Sequence, residues 1–254
     1  MIKGFREFEF DLPEALLASM IAAFDGMEGA SLSRDHVKGV PDAQGVYQLL
    51  IGDEIVYIGK TDSQAGLFRR LSRHAWTIQH RTNLRVADVS FKAVRIFVFT
   101  AMDLETQLIQ HYRGRSSISW NNSGFGSNDP GRNRDKTRAK PTSFDVLYPI
   151  DLDVELSLGV SGDVSVAAAL RALRDVLPYT LRVQVMAGST RMPHPDLDAA
   201  ILSLSPEQTT TRRLIAAAID VLPTGWQATA LAGRVILYKE HEDNYPEGRI
   251  IARN

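Results

Sequence analysis

Cysteine is absent from the 254 residues, which removes disulfides, Cys-ligated zinc, iron–sulfur clusters and a thiol nucleophile from consideration. No apolar run approaches the roughly 20 residues that span a bilayer. The opening MIKGFREFEFD lacks the continuous apolar stretch of a secretory leader. Internal repeats and low-complexity tracts are missing as well, and no glycine-rich loop ends in Lys-Ser or Lys-Thr, so nucleotide hydrolysis is not indicated. The expectation is a cytoplasmic protein with no membrane partner. Hydrophobic residues at 44% and charged residues at 23% are ordinary globular usage, which argues against global disorder.

A net charge of −1 speaks at first against a polyanionic partner. The charges are segregated, however. Residues 1–59 carry a net −6, residues 60–140 a net +9 and residues 141–254 a net −4. A local positive field of that size attracts a polyanion whatever the total.

Patterning predicts an α+β fold. Asp11 and Pro13 open a helix over 12–27, with Leu16, Leu17, Met20, Ile21 and Phe24 at helical spacing, and 29–39 reads as a loop. GVYQLLI (45–51) and EIVYIG (54–59) flank Gly52-Asp53 and predict a β-hairpin. A helix over 65–76, a strand over 91–100 and a helix opened by Thr100-x-x-Asp103 complete a β-β-α-β-α order. Residues 113–143 lack apolar periodicity, and a loop that long is functional or disordered. Beyond it, 152–158 alternates like a strand, 166–177 fits a helix and 181–186 a strand. Ser205-Pro206-Glu207-Gln208 reads as a capping box opening a helix through Leu222, and strands around 227–230 and 234–239 follow. Three regions result: an N-terminal helical extension (1–39), a central core with its basic loop (40–143) and a C-terminal α+β region (144–254).

The chemistry-bearing residues are Gly45-Val46-Tyr47, then Tyr57-Ile58-Gly59-Lys60, Arg69-Arg70 and Arg73-His74 on the next helix, Glu105, and Trp120-Asn121. Arg70 and His74 are four apart and share a helix face. Each alone has an ordinary structural reading: a packing tyrosine, a solvated arginine, a first-turn glutamate favoured by the helix dipole. Together, in this order and on these elements, they resemble the GIY-YIG nucleases, with Val46 in place of the middle isoleucine. The resemblance covers residues 40–125 and implies a small mixed or antiparallel sheet flanked by helices.

What the resemblance implies for each position follows. Tyr47 is the base that activates water, and Tyr57 orients the nucleophile or phosphate. A phenol has a pKa near 10, so a base role calls for a nearby cation to lower it, and Lys60 is the candidate. That role makes activity rise toward alkaline pH. Arg70 steadies the scissile phosphate through charge-assisted hydrogen bonds, and His74 contacts phosphate or water. Glu105 holds a single Mg2+ (or Mn2+), and Asn121, or Asn122 one register on, completes the site.

Gly124-Phe125-Gly126-Ser127-Asn128-Asp129-Pro130-Gly131, with Phe144-Asp145 after it, is similar to the type II restriction endonucleases of that family. Arg132, Arg134, Lys136, Arg138 and Lys140 follow on every second residue and in extended form line one side of a ribbon able to contact DNA, as do Arg69 and Arg73 on their helix. The resemblance thus implies a metal-dependent double-stranded DNA endonuclease with a cognate DNA methyltransferase as partner. One active site per subunit cuts one strand, so cleavage of a palindrome favours a homodimer. A repair or homing nuclease, or a non-catalytic DNA-binding protein on the same scaffold, are the alternatives. Asp151, Asp153 and Glu155 read as solvent-facing acids on a strand, and His194 as a loop histidine.

Overall fold

Asp11 and Pro13 start the first helix as the sequence reads. The Asp11 carboxylate accepts the Glu14 amide at 2.9 Å, and Pro13 lies in the first turn of α1 (Leu12–Asp25). The computed structural model describes residues 3–8, 11–61, 64–97, 103–126 and 129–254. The chain divides into two units, residues 1–75 with 86–122, and residues 76–85 with 123–254. Residues 123–143, which the sequence reading joins to the central core, therefore count with the C-terminal region.

In the first unit, β1 (Ala30–Ser31) and the short α2 (Arg34–Val37) occupy the stretch expected to be a loop. The hairpin follows as β2 (Gly45–Ile51) and β3 (Glu54–Lys60), turned by Gly52 at φ +58°. Next come α3 (Leu67–Gln79), β4 (Val89–Arg95) and α4 (Leu104–Tyr112). The sheet is antiparallel in the order β1-β4-β2-β3, and the expected β-β-α-β-α order holds within it. Strand β4 begins at Val89 and ends at Arg95, short of the expected 91–100. Residues 98–100, with Thr100 of the expected helix signal, lie outside the described residues.

Strand β2 is buried along nearly its whole length because both faces of the sheet are covered. On one face Val46, Leu50, Ile55 and Ile58 pack with Met20 and Phe24 of α1 and with Leu104, Leu108 and Tyr112 of α4. Helix α1 is thus part of this core and not an appendage. The Tyr112 hydroxyl donates to Asp25 at 2.7 Å, and the Lys92 ammonium donates to the Phe24 carbonyl at 2.9 Å, at the helix's negative end.

The second unit contains α5 (Phe144–Leu147), β5 (Glu155–Leu156), β6 (Gly162–Ser165), α6 (Val166–Val176), β7 (Thr180–Val183), α7 (Pro195–Ala199), β8 (Ile201–Leu204), β9 (Thr209–Thr210), α8 (Thr211–Val221), β10 (Gln227–Leu231), β11 (Arg234–Tyr238) and β12 (Arg249–Arg253). Its main sheet runs β12-β10-β11-β7, with β7 parallel to β11. Leu170 and Leu173 of α6, Ile215 and Ile219 of α8, and Trp226, Val235 and Leu237 build one core.

Three expectations fail here for local reasons. The strand over 152–158 shrinks to β5. The Ser205 box caps no helix: the Ser205 hydroxyl accepts the Glu207 amide within a turn, Thr210 is held in strand pairing with Glu155, and α8 starts only after it, with the Thr210 hydroxyl accepting the Arg213 amide at 3.2 Å. His194 is no loop residue without a partner. Its Nδ1 accepts the Asp196 amide at 3.2 Å and caps α7, and its ring lies edge-on to Trp226.

The basic run is not an extended ribbon either. Residues 132–134 form a 3-10 turn, and Asp135 after it is the anchor. The Asp135 carboxylate is only 2% exposed. It accepts both of its bonds from Arg182 Nη1 at 2.5 and 2.6 Å, one from Arg234 Nε at 2.8 Å and one from the Tyr238 hydroxyl at 2.8 Å. Asp129 pairs with the same Arg182, so two acids balance two arginines. A buried charge stripped of its partners is strongly unfavourable, whereas this arrangement is satisfied.

Two outcomes follow for urea unfolding. Phe24→Ala is expected to lower stability by about 3–5 kcal/mol, the cost of emptying a core aromatic site. Asp135→Ala is expected to cost about 3–5 kcal/mol, because it leaves the largely buried Arg234 without its carboxylate and Arg182 with Asp129 alone. A loss below about 1 kcal/mol in either variant contradicts the packing described.

Candidate active site

The β2–β3 register places Tyr47 opposite Gly59 and Tyr57 opposite Leu49, so both phenols project from the sheet face that carries α3. A Cβ on Gly59 would lie 2.6 Å from the Tyr47 hydroxyl and 2.7 Å from the Tyr57 ring. Only glycine leaves room for the two rings to cross the strand there. Gly45 is excluded from growing in the same way, since its Cβ would meet the Val94 carbonyl at 2.3 Å and Leu67 of α3 at 2.8 Å. The outer glycines of the two triplets are therefore set by close approach.

Tyr47 is 1% exposed, and its hydroxyl lies 2.7 Å from His74 Nε2. The Tyr47, Tyr57 and His74 rings form a triangle with centroids 5.4–6.1 Å apart, and the two phenols share a hydrogen bond. Burial pushes the Tyr47 phenol well above its ordinary range, with Tyr57 adding to the rise and Arg70 opposing it. Burial and then Glu105 raise Tyr57, again against Arg70. Burial, with Arg70 and Arg73 as like charges, lowers His74 to about 3, so the imidazole is neutral. In the tautomer with its proton on Nδ1, Nε2 accepts the Tyr47 O–H.

Glu105 lies in the first turn of α4, off the buried Leu104–Leu108 stripe, as the spacing requires. It is half-buried; burial raises its pKa, while Lys60 and, more weakly, Arg70 oppose the rise. The expected role of Lys60 does not hold in this geometry. Its ammonium is exposed and bonded to Asp103 at 2.9 Å, whose other oxygen takes the Thr106 hydroxyl at 2.6 Å. The cation common to the electrostatics of both tyrosines, His74 and Glu105 is Arg70. In the sequence Asp103 stands out only as the acid of the Thr100-x-x-Asp103 helix signal, and nothing local marks its pairing with Lys60.

Asn121 is a brace. Its side chain accepts the Ile58 amide at 2.9 Å and donates to the Ile58 carbonyl at 2.8 Å, clamping β3 between Tyr57 and Gly59. The neighbouring bond from the Trp120 amide to the Val56 carbonyl, at 2.8 Å, continues the same seam. Asn122 instead takes the left-handed φ of +61° that ends the segment.

The residues expected to contact DNA lie in both units. On α3, Arg69 is tied to Asp42 at 2.6 Å and Arg73 is exposed. In the second unit Arg134, Arg138 and Lys140 are exposed, while Arg132 pairs with Glu240 at 3.6 Å and Lys136 with Glu242. Among the described residues no three His, Asp or Glu side chains come together as a metal-binding group. Among the same residues no helix is long and apolar enough to cross a membrane.

Two tyrosines on facing strands, an arginine and a histidine one helical turn apart, a glutamate opening the next helix and an asparagine bracing the second strand define a GIY-YIG nuclease domain. Residues 54–150 match the family model of the Eco29kI GIY-YIG domain, which supports placing this region in the GIY-YIG superfamily near the type II restriction endonucleases. The match takes in Tyr57, Arg70, His74, Glu105, Asn121 and the basic loop, and begins seven residues after Tyr47. No curated protein matches the chain.

The His74 environment gives a direct test. Its native pKa of about 3 lies below the 6.5 of the unfolded chain. The unfolded state therefore binds the extra proton between those values, and this group's stabilising contribution, complete above 6.5, falls by about 1.4 kcal/mol per pH unit on acidification. Imidazole 15N spectra are expected to show His74 neutral down to pH about 4. A His74 titration near 6.5 contradicts the buried neutral pair.

Proposed function

We propose that this protein is a sequence-specific double-stranded DNA endonuclease of the type II restriction kind, hydrolysing phosphodiesters at the Tyr47–Tyr57–Arg70–His74–Glu105 site. The observation that carries the reading is the 2.7 Å contact between the Tyr47 hydroxyl and a neutral, buried His74. It supports a proton relay and not a preformed phenolate. Tyr47 takes a proton from water while passing its own to His74 Nε2, so no phenolate stands in the resting site. The imidazolium formed this way is disfavoured first by burial and then by Arg70 and Arg73; a phosphate anion offsets the charge of the two arginines, which ties the relay to bound substrate. Tyr57 orients the water or phosphate, Arg70 holds the phosphate oxygens, and Asn121 acts through β3 by keeping Tyr57 in register.

A half-buried carboxylate whose burial already disfavours its charge suits one hard cation that keeps most of its waters. Glu105 would hold Mg2+ (or Mn2+), which supplies charge neutralisation for the leaving 3′ oxygen and the phosphate. Lys60, Asp103 and Thr106 fix the start of the helix that carries Glu105. One site cuts one strand, so a homodimer on a palindromic site, protected by a cognate DNA methyltransferase, completes the proposal.

Plasmid incubated with purified protein and Mg2+ is expected to give discrete bands, with none from Glu105→Ala or Tyr47→Phe although both retain DNA binding. DNA that the wild type binds and never cuts favours the non-catalytic alternative; bands from Tyr47→Phe sink the relay. Because His74 is already neutral, the cleavage rate is expected to stay flat from pH about 6 to 9. A tenfold rise per pH unit instead assigns the base to a phenolate formed in advance.

A further inference from the structure

Five cations in the loop 132–140 look equivalent by sequence, yet the second unit treats them in two ways. Arg132 lies with its guanidinium carbon 4.1 Å from the centre of the Tyr238 ring and its Nη2 3.6 Å from Glu240. Lys136 lies 5.7 Å from the centre of the Tyr245 ring and is bonded to Glu242. Each cation thus has an aromatic face and a carboxylate of its own. The two carboxylates are themselves held: Glu240 by the Tyr245 hydroxyl, and Glu242 by its backbone, whose amide and carbonyl bond the Gln227 side chain at 3.2 and 2.7 Å. Between these two seats Asp135 is buried against Arg182, Arg234 and Tyr238. Tyr238 serves two of the three points, with its ring under Arg132 and its hydroxyl on Asp135.

Arg134, Arg138 and Lys140 are different. All three are exposed, and none forms an ion pair among the described residues. Arg134 instead anchors through its carbonyl, which accepts Arg234 Nη2 at 2.9 Å, leaving its guanidinium outward on the fixed turn.

We propose that this loop is a preorganised phosphate-contacting element in which Arg134, Arg138 and Lys140 contact the DNA backbone, while Arg132 and Lys136 are seat cations that hold the turn and make no phosphate contact. The inference rests on the duplex-DNA reading above and sorts the residues within it. A cation already neutralised by a fixed carboxylate releases no counterion from DNA on binding, whereas each free cation that meets a phosphate contributes about 0.9 to the slope of log K against log salt. Preorganisation matters because a side chain carried on a fixed turn, as Arg134 is, loses less freedom on binding than one on a mobile strand.

The test uses the full-length chain and a fluorescein-labelled DNA duplex without divalent metal, with affinity measured by anisotropy over a series of salt concentrations. Replacing Arg134, Arg138 and Lys140 together by Ala is expected to reduce the slope by about 2.7. Replacing both seats without changing net charge, by Arg132→Gln with Glu240→Gln and Lys136→Gln with Glu242→Gln, is expected to leave the slope unchanged. A partly unfolded sample lowers the signal amplitude and leaves the slope in place. If the fourfold variant does not fold, Lys136→Gln with Glu242→Gln alone asks the same question. A slope loss of about 0.9 per seat, or an unchanged slope in the triple variant, overturns the sorting while the DNA reading stands. A wild type that binds no duplex overturns both.

Discussion

The site depends on one close approach, the crossing of the Tyr47 phenol over the backbone of Gly59. The β2–β3 register sets it, and the missing side chain at Gly59 permits it. Sliding β3 by one residue would turn Tyr57 to the opposite face, where Val46, Ile55 and Ile58 pack with α1 and α4, and part it from Tyr47. The bidentate Asn121 clamp on Ile58 and the seam through Trp120 hold the strand on which this register is read. Residues far apart in the chain thus share one task, which is to keep β3 from sliding.

Burial then decides the chemistry. Both phenols are raised and the imidazole is lowered, in each case first by desolvation, so the resting tyrosine–histidine cluster is neutral, with Arg70 the cation that acts on all three. A site of this kind stays charge-poor until an anion arrives. That is a different logic from a tyrosine ionised by an adjacent lysine, and it gives Lys60 another role: joined to Asp103, it secures the start of α4 and hence the position of Glu105.

How much of this was legible beforehand divides by the range of the interaction. Period-two and period-3.6 patterns gave the hairpin, α1, α3 and α4 to within a few residues, because each buries a face that the pattern itself marks. The tyrosines, Arg70, His74 and Glu105 stand out because their types and order coincide on those elements. The partners did not show. Lys60 binds Asp103 across 43 residues and Asn121 binds Ile58 across 63, and neither pairing leaves a local trace. The Ser205 box failed because strand pairing at Thr210 outcompeted a valid capping pattern, a tertiary contact overriding a local preference. Asp135 carried a faint signal, as the one acid inside a run of alternating bases, and its weight emerges only once Arg182, Arg234 and Tyr238 converge on it.

The charge segregation also has a finer grain than a basic block between acidic flanks. Several cations of the block at 60–140 are paired with acids supplied by the flanks: Arg69 with Asp42, Arg81 with Asp145, Arg132 with Glu240 and Lys136 with Glu242. A protein built only to attract polyanions would leave these cations bare, and it would bind any duplex tightly and without discrimination. Pairing them uses charge for architecture and confines the field to fewer, better-placed groups. The acidic flanks are therefore not a neutral counterweight to the basic block; residue by residue, they determine which of its charges remain available to a partner.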